Sequence, residues 1–185
     1  MGKVEDLADR FGEYLAVPHN TTGTAAERVL MVVYDKELER TLRERMAAFE
    51  TRAVAAGRQW IVVDCTPLFS SWMAGLDYRE AYFLEPEHLA SKVEGEFKKL
   101  VVQRVREALR GTGAATVVAV TGTASLYGFA RLSEVIREVE PDVRGCLAVF
   151  FPGTKDQNNY RLLDARDGWN YLAHSISLHS ENQKQ

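Results

Sequence analysis

VLMVVYDKELERTLRERMAAFETRAVAAG, residues 29–57, decides how this chain is read. Val29 to Tyr34 is an unbroken apolar run rich in β-branched residues, the pattern of a strand buried on both faces. Asp35 follows where a helix N-cap belongs, and Leu38, Leu42, Met46, Phe49 and Ala53 then recur at helical spacing. Gly57 stands where such a helix would end. A strand with both faces covered, followed at once by an amphipathic helix, is the repeating unit of a parallel α/β sheet.

Three more strands continue the pattern. They are Trp60 to Cys65 (WIVVDC), Thr116 to Thr121 (TVVAVT) and Cys146 to Phe151 (CLAVFF), the last closed by Pro152-Gly153. Between the second and third, Pro67 opens a short helix. From Pro86 to Gly111, Leu89, Val93, Phe97, Leu100, Val101, Val105 and Ala108 make one helical stripe. After Thr121 a helix is predicted with Phe129, Leu132, Val135, Ile136 and Val139 on its apolar face, stopped by Pro141. Upstream, Val4, Leu7, Phe11 and Leu15 mark a helix over Lys3 to Ala16, followed by the polar connector His19 to Gly23. Thr154 to Asn159 reads as a loop, Tyr160 to Ala165 as a short fifth strand, and Gly168 to Leu178 as a closing strand or helix.

The expectation is one three-layer α/β domain over residues 1–178, with a mostly parallel, Rossmann-like sheet of about four or five strands flanked by helices. Residues 1–24 are its N-terminal helix and connector, 25–178 its core, and 179–185 a frayed tail. At 185 residues, with 46% hydrophobic and 26% charged residues, the chain is large and apolar enough to hold a core without disulfide or metal. Its net charge of -3, with basic and acidic residues interspersed, argues against direct nucleic-acid binding. No apolar run approaches the ~18 residues of a membrane span, and the N-terminus lacks a signal-peptide core. The expected compartment is the cytoplasm. Cys65 and Cys146 read as buried small hydrophobes.

In parallel sheets ligands bind outside the carboxyl ends of the strands. The candidates there are Asp35, Asp64, Thr121, Gly122, Thr123, Ser125, Pro152 and Gly153, continued by Tyr127 and Arg131. Thr121 to Gly128 has the location of a phosphate loop but lacks the Gly-Lys-Ser/Thr ending. Asp35 and Asp64, taken as ends of neighbouring strands, could share a divalent ion, although a cap and a turn acceptor are the plainer roles. His19, His88, His174 and His179 pair with no cysteine or carboxylate at ligand spacing, so neither a catalytic residue nor a metal site is assigned. His88 is expected exposed and His174 semi-buried. Asn170 and Tyr171, in an aromatic and Asn-rich end, suit either a protein contact or packing on the chain's own sheet.

Thr121-Gly-Thr-Ala-Ser-Leu-Tyr-Gly-Phe-Ala-Arg131, then Ala148-Val-Phe-Phe-Pro-Gly153, then Asp167-Gly-Trp-Asn-Tyr171 resembles the BrxB family of bacterial BREX phage-defence systems. The helix carrying Leu42-Arg43-Glu44-Arg45 is similar to that family's first helix, so the likeness spans about Arg28 to Leu178. Gly128 stands where many members have proline, and Ala173-His174 where a more basic or aromatic pair is usual. The resemblance implies a small core subunit of a multi-protein system that separates host from phage DNA by methylation. It implies no chemistry and no cofactor of its own. It implies an adaptor whose partners are other BREX proteins, namely the PglZ-like protein, the ATPase or the methyltransferase. An adaptor needs an exposed apolar or aromatic patch, which is expected near Gly153 to Tyr171. A homodimer stays open. Two other functions also remain: a nucleotide- or metal-dependent enzyme or sensor at the strand-end loops, and a DNA-binding accessory protein.

Overall fold

The computed structural model describes residues 2–18, 23–166 and 168–178. The connector 19–22, His19, His179 and the tail 179–185 lie outside them. Five parallel strands form the sheet: β1 (Val29–Tyr34), β2 (Gln59–Asp64), β3 (Thr116–Thr121), β4 (Cys146–Asp156) and β7 (His174–Ser177), in the order β2-β3-β4-β1-β7. The far end of β4 pairs antiparallel with β5 (Asn159–Leu162), which pairs with β6 (Trp169–Asn170). The fold is the mixed α/β, Rossmann-like three-layer class that the strand and helix pattern predicts.

Alternate residues of each strand feed two cores. Leu30, Val32, Tyr34, Val117, Ala119, Ala148 and Phe150 face α1 (Lys3–Ala16), α2 (Glu39–Glu44) and α3 (Met46–Ala55). Phe49 of α3 sits edge-on to Phe150 at 5.0 Å and to Phe11 at 5.6 Å. Val29, Met31, Val33, Val118, Val120, Leu147, Val149 and Phe151 face the other layer. Right-handed crossovers produce this segregation. The connection from β1 to β2 passes over β4 and β3 in one direction, whereas those from β2 to β3 and from β3 to β4 run back. Their helices therefore lie on opposite faces.

The second layer begins with α4 (Leu68–Ala74), the short helix that Pro67 opens, and α5 (Arg79–Leu84), in and beyond a stretch, Gly75 to Tyr82, where the sequence shows no clear period. Then come a 3-10 turn (Pro86–Leu89), α6 (Ala90–Lys92), a π turn (Val93–Phe97) and α7 (Lys98–Leu109), with α8 (Leu132–Val139) after β3. The sequence reads Pro86 to Gly111 as one α-helix. The π turn has a visible cause in the apolar stripe. Leu89, Val93, Phe97, Val101, Val105 and Leu109 recur every fourth residue, which in an α-helix rotates the stripe by about 40° per step. A wider turn at Val93–Phe97 takes up part of that drift, and every stripe member beyond Leu89 is buried.

Other expectations are corrected. Pro152-Gly153 does not close the fourth strand, and 154–159 is not a loop. β4 runs on to Asp156, its last residues paired with β5. Pro152 lacks an N–H, yet its carbonyl still accepts from Leu163 N at 2.8 Å. Gly153 lies so close to β5 that a Cβ would overlap the Arg161 carbonyl. Phe129 precedes α8 and stacks on Phe69 at 3.8 Å. His174 is exposed at the sheet edge, its ring 5.6 Å from Tyr14, because among the described residues no strand lies beyond β7. His88 is exposed as expected, 2.8 Å from Glu85. Among the described residues, no helix is long and apolar enough to cross a membrane.

Candidate functional site at the carboxyl edge of the sheet

The carboxyl ends of β1 and β2 are joined by a chain of hydrogen bonds that runs mostly through side chains. The Tyr34 hydroxyl donates to Glu39 at 2.5 Å, and Glu39 also accepts from Arg43 Nε at 2.9 Å. Arg43 Nη2 donates to the Thr66 hydroxyl at 2.6 Å, and Thr66 N donates to Asp64 Oδ1 at 2.9 Å. The four-residue spacing of Glu39 and Arg43 puts both on one face of α2, which lies across this edge. Burial, then the Glu39 bond, pushes the Tyr34 phenol well above its ordinary range, so it stays a donor. Arg43 is held charged by its bond to Glu39.

Gly122 follows β3 with φ of 66°, in the left-handed region. A Cβ there would lie 2.6 Å from Asp64 Oδ1 and 2.9 Å from Thr66 N, so the Asp64–Thr66 turn is pressed against bare backbone. Thr121 and Thr123 are buried, and Thr123 donates to the Phe150 carbonyl at 2.7 Å, tying β3 to β4. Ser125 N bonds Gly122 O at 3.0 Å within a four-residue 3-10 turn (Thr123–Leu126). The phosphate-loop geometry is not made: α8 begins only at Leu132, so no helix N-terminus points at Gly122.

Asp35 and Asp64 do not end neighbouring strands. β3 and β4 lie between β1 and β2, a separation of three strand spacings or about 14 Å, so the two carboxylates cannot share an ion. Asp35 also makes no side-chain cap; its carbonyl accepts from Leu38 N at 2.9 Å. Among the described residues no group of three His, Cys, Asp or Glu could hold a metal. Burial raises the thiols of Cys65 and Cys146 to about 12, which keeps them protonated near neutrality.

Asp35, Asp64, Thr121, Gly122, Thr123, Ser125, Pro152 and Gly153 thus share the carboxyl edge. Tyr127 and Arg131 are exposed on the loop leading away, Arg131 lying 3.7 Å from Glu134. Asn170 and Tyr171 are not part of this edge. They precede β7, which starts at the amino edge, and the Tyr171 hydroxyl bonds Glu140 beyond the end of α8. Tyr171, like Tyr160, is buried, so the aromatic end packs on its own sheet. Of the stretch Gly153 to Tyr171, the Tyr160 and Tyr171 rings are interior, while Thr154, Asp156, Asn158, Arg161 and Asn170 are exposed and polar. Tyr34 ends β1 beside the candidate Asp35, but Glu39, Arg43 and Thr66 were missed as site members; the Glu39–Arg43 spacing was the available signal.

Beside this cluster a groove of about 1030 Å³ opens where β1, β4 and β7 end, lined by Arg10, Tyr14, Asp35, Gly153, Lys155 and Ser177 among others. β1 and β4 are adjacent strands whose connections leave to opposite faces, the switch point at which parallel sheets bind ligands.

The exposed apolar residues lie elsewhere. α5 buries none of its residues: Tyr78, its N-cap, is 74% exposed, Phe83 64% and Leu84 84%. The preceding α4 joins Phe69 and Trp72 to Phe97 and Phe129 in one aromatic cluster, with Tyr127 exposed beside Phe129 in sequence. Compared with family models, curated proteins and solved structures, the chain matches none.

Proposed function

We propose that this chain is a non-enzymatic adaptor of a BREX-type phage-defence system that docks the PglZ-like protein or the ATPase. The observation that carries the docking role is α5, which presents Phe83 and Leu84 to solvent and buries nothing of its own. Large apolar side chains gathered on an exposed segment mark a protein contact. The system itself rests on the sequence resemblance. The chain is to be co-expressed with the whole operon and purified by a tag. The PglZ-like protein or the ATPase is expected to come with it, and Phe83→Asp with Leu84→Asp to weaken that association at least tenfold, about 1.4 kcal/mol. Purification of the wild type without either protein overturns the reading.

The groove at the β1/β4 switch point favours a second reading, a nucleotide- or metal-dependent enzyme or sensor, since its size suits a small ligand. Thermal unfolding with nucleotides and divalent ions separates the two. Ligand at a hundred times its Kd should stabilise by about 2.7 kcal/mol. No shift at millimolar ligand removes this reading.

A further inference from the structure

The two edges of the sheet are built differently. β7 is four residues long, and its Ser177 carbonyl accepts from Arg10 of α1 at 2.5 Å. β2 is six residues long, Gln59-Trp-Ile-Val-Val-Asp64, with neither lysine nor proline and in unbroken register with β3. Among the described residues no strand pairs with its far side. Edge strands are ordinarily blunted by charge, proline, bulges or covering elements, because an open edge templates pairing. Here the strand is apolar and open, with Val62 45% exposed.

The direction of the backbone bonds is fixed. Gln59 N donates to Ala115 O at 2.8 Å and Cys65 N to Thr121 O at 2.9 Å, so the odd-numbered residues turn their polar groups toward β3. Trp60, Val62 and Asp64 therefore turn theirs outward. We infer that β2 pairs antiparallel with β2 of a second copy, about a two-fold axis normal to the sheet at Ile61, joining two sheets into one.

Two constraints choose this register. A two-fold normal to the sheet keeps each face on its own side, so paired residues must have the same parity. Centred on Ile61, Trp60 meets the second copy's Val62, both outward-facing, and the pair exchanges both N–H···O bonds. An aromatic residue opposite a β-branched one is a favourable cross-strand pair. Arg58 then meets Asp64 of the other copy on the same face, opposite charges aligned at both ends. Arg58 donates to the carbonyls of Ala114 and Leu15, not to a carboxylate. Centring on Val62 instead sets Trp60 against Asp64. Arg58 N–H is already given to Ala53 O. Centring on Trp60, which sets Val62 against Arg58, therefore leaves one pair that exchanges both bonds. Centring on Ile61 leaves two Trp60–Val62 pairs complete and loses the Arg58 N–H only at the outer ends.

Sedimentation of the full chain at tens of micromolar should give twice the chain mass. Val62→Pro removes an N–H that bonds nothing within the sheet, so the fold is retained and the mass should halve. Ile61→Cys tests the register: on the axis, in a pair that exchanges no bonds, the two Cα atoms lie about 4.5 Å apart, within disulfide reach. It should give a covalent dimer under mild oxidant, whereas Gln59→Cys and the wild type should not. A monomeric wild type, or a dimer that Val62→Pro leaves intact, overturns the inference. If Val62→Pro fails to fold, the cross-link decides: absence of the Ile61→Cys dimer overturns it as well.

Discussion

Gly153 shows how one residue can be fixed by a neighbour distant in sequence. The backbone of β5 passes so close that the Arg161 carbonyl occupies the place of a Cβ. Gly153→Ala must push β4 and β5 apart, and a loss of about 2–4 kcal/mol is expected in urea unfolding. Thr123 is the opposite case, a polar group buried because it has a partner. Thr123→Val leaves the Phe150 carbonyl unsatisfied and should cost about 1–3 kcal/mol by the same measurement. The cysteines carry a pH consequence. Burial raises both from 9.0 to about 12, so the folded state holds these protons through a range where the unfolded chain releases them. Their contribution is present below about 9 and fades as pH rises toward 12. Ellman's reagent at pH 8 is expected to label neither thiol quickly in the folded chain and both on unfolding.

Elements here were legible in proportion to how far their own sequence determines them. α1, β1 and β3 have the bounds their patterns predict, since burial on a fixed face writes a fixed period. β4 was read too short because Pro152-Gly153 is punctuation in most contexts. Here the proline N–H is not required, and the glycine admits β5. α5 left no readable pattern because a helix that buries no residue has no apolar stripe to display. α8 carries an electrostatic brace: Lys98 bonds Glu134 at 2.9 Å and holds its carboxyl below the ordinary range. That stabilisation is present above the usual carboxylate pKa and is lost as pH falls through the lowered one. Glu134→Gln should therefore flatten the acid limb of a thermal stability curve below about pH 4.5.

Across the whole molecule, the sheet separates two cores that share strands but not side chains. Phe49 lies in one and Phe97 in the other, with two helix-to-sheet spacings of about 10 Å between their helices. Phe49→Leu and Phe97→Leu should each destabilise, and the double variant should equal their sum to within about 0.5 kcal/mol. The carboxyl-edge candidates were findable because every parallel strand ends there, whatever the strand order. Which of them meet was not. The separation of Asp35 from Asp64 and the Tyr34–Glu39–Arg43–Thr66 bridge both depend on β1 lying beyond β4.

The chain by itself determined the alternation of strand and helix, the parallel sheet and the edge where polar residues collect, because these follow from local periodicity and chain handedness. Only the tertiary structure decided the order β2-β3-β4-β1-β7, the burial of Tyr160 and Tyr171 against the sheet, and the open flank of β2. Strand order is set by which faces and edges close most completely against one another. That is a property of all the elements together, and no single stretch of sequence records it.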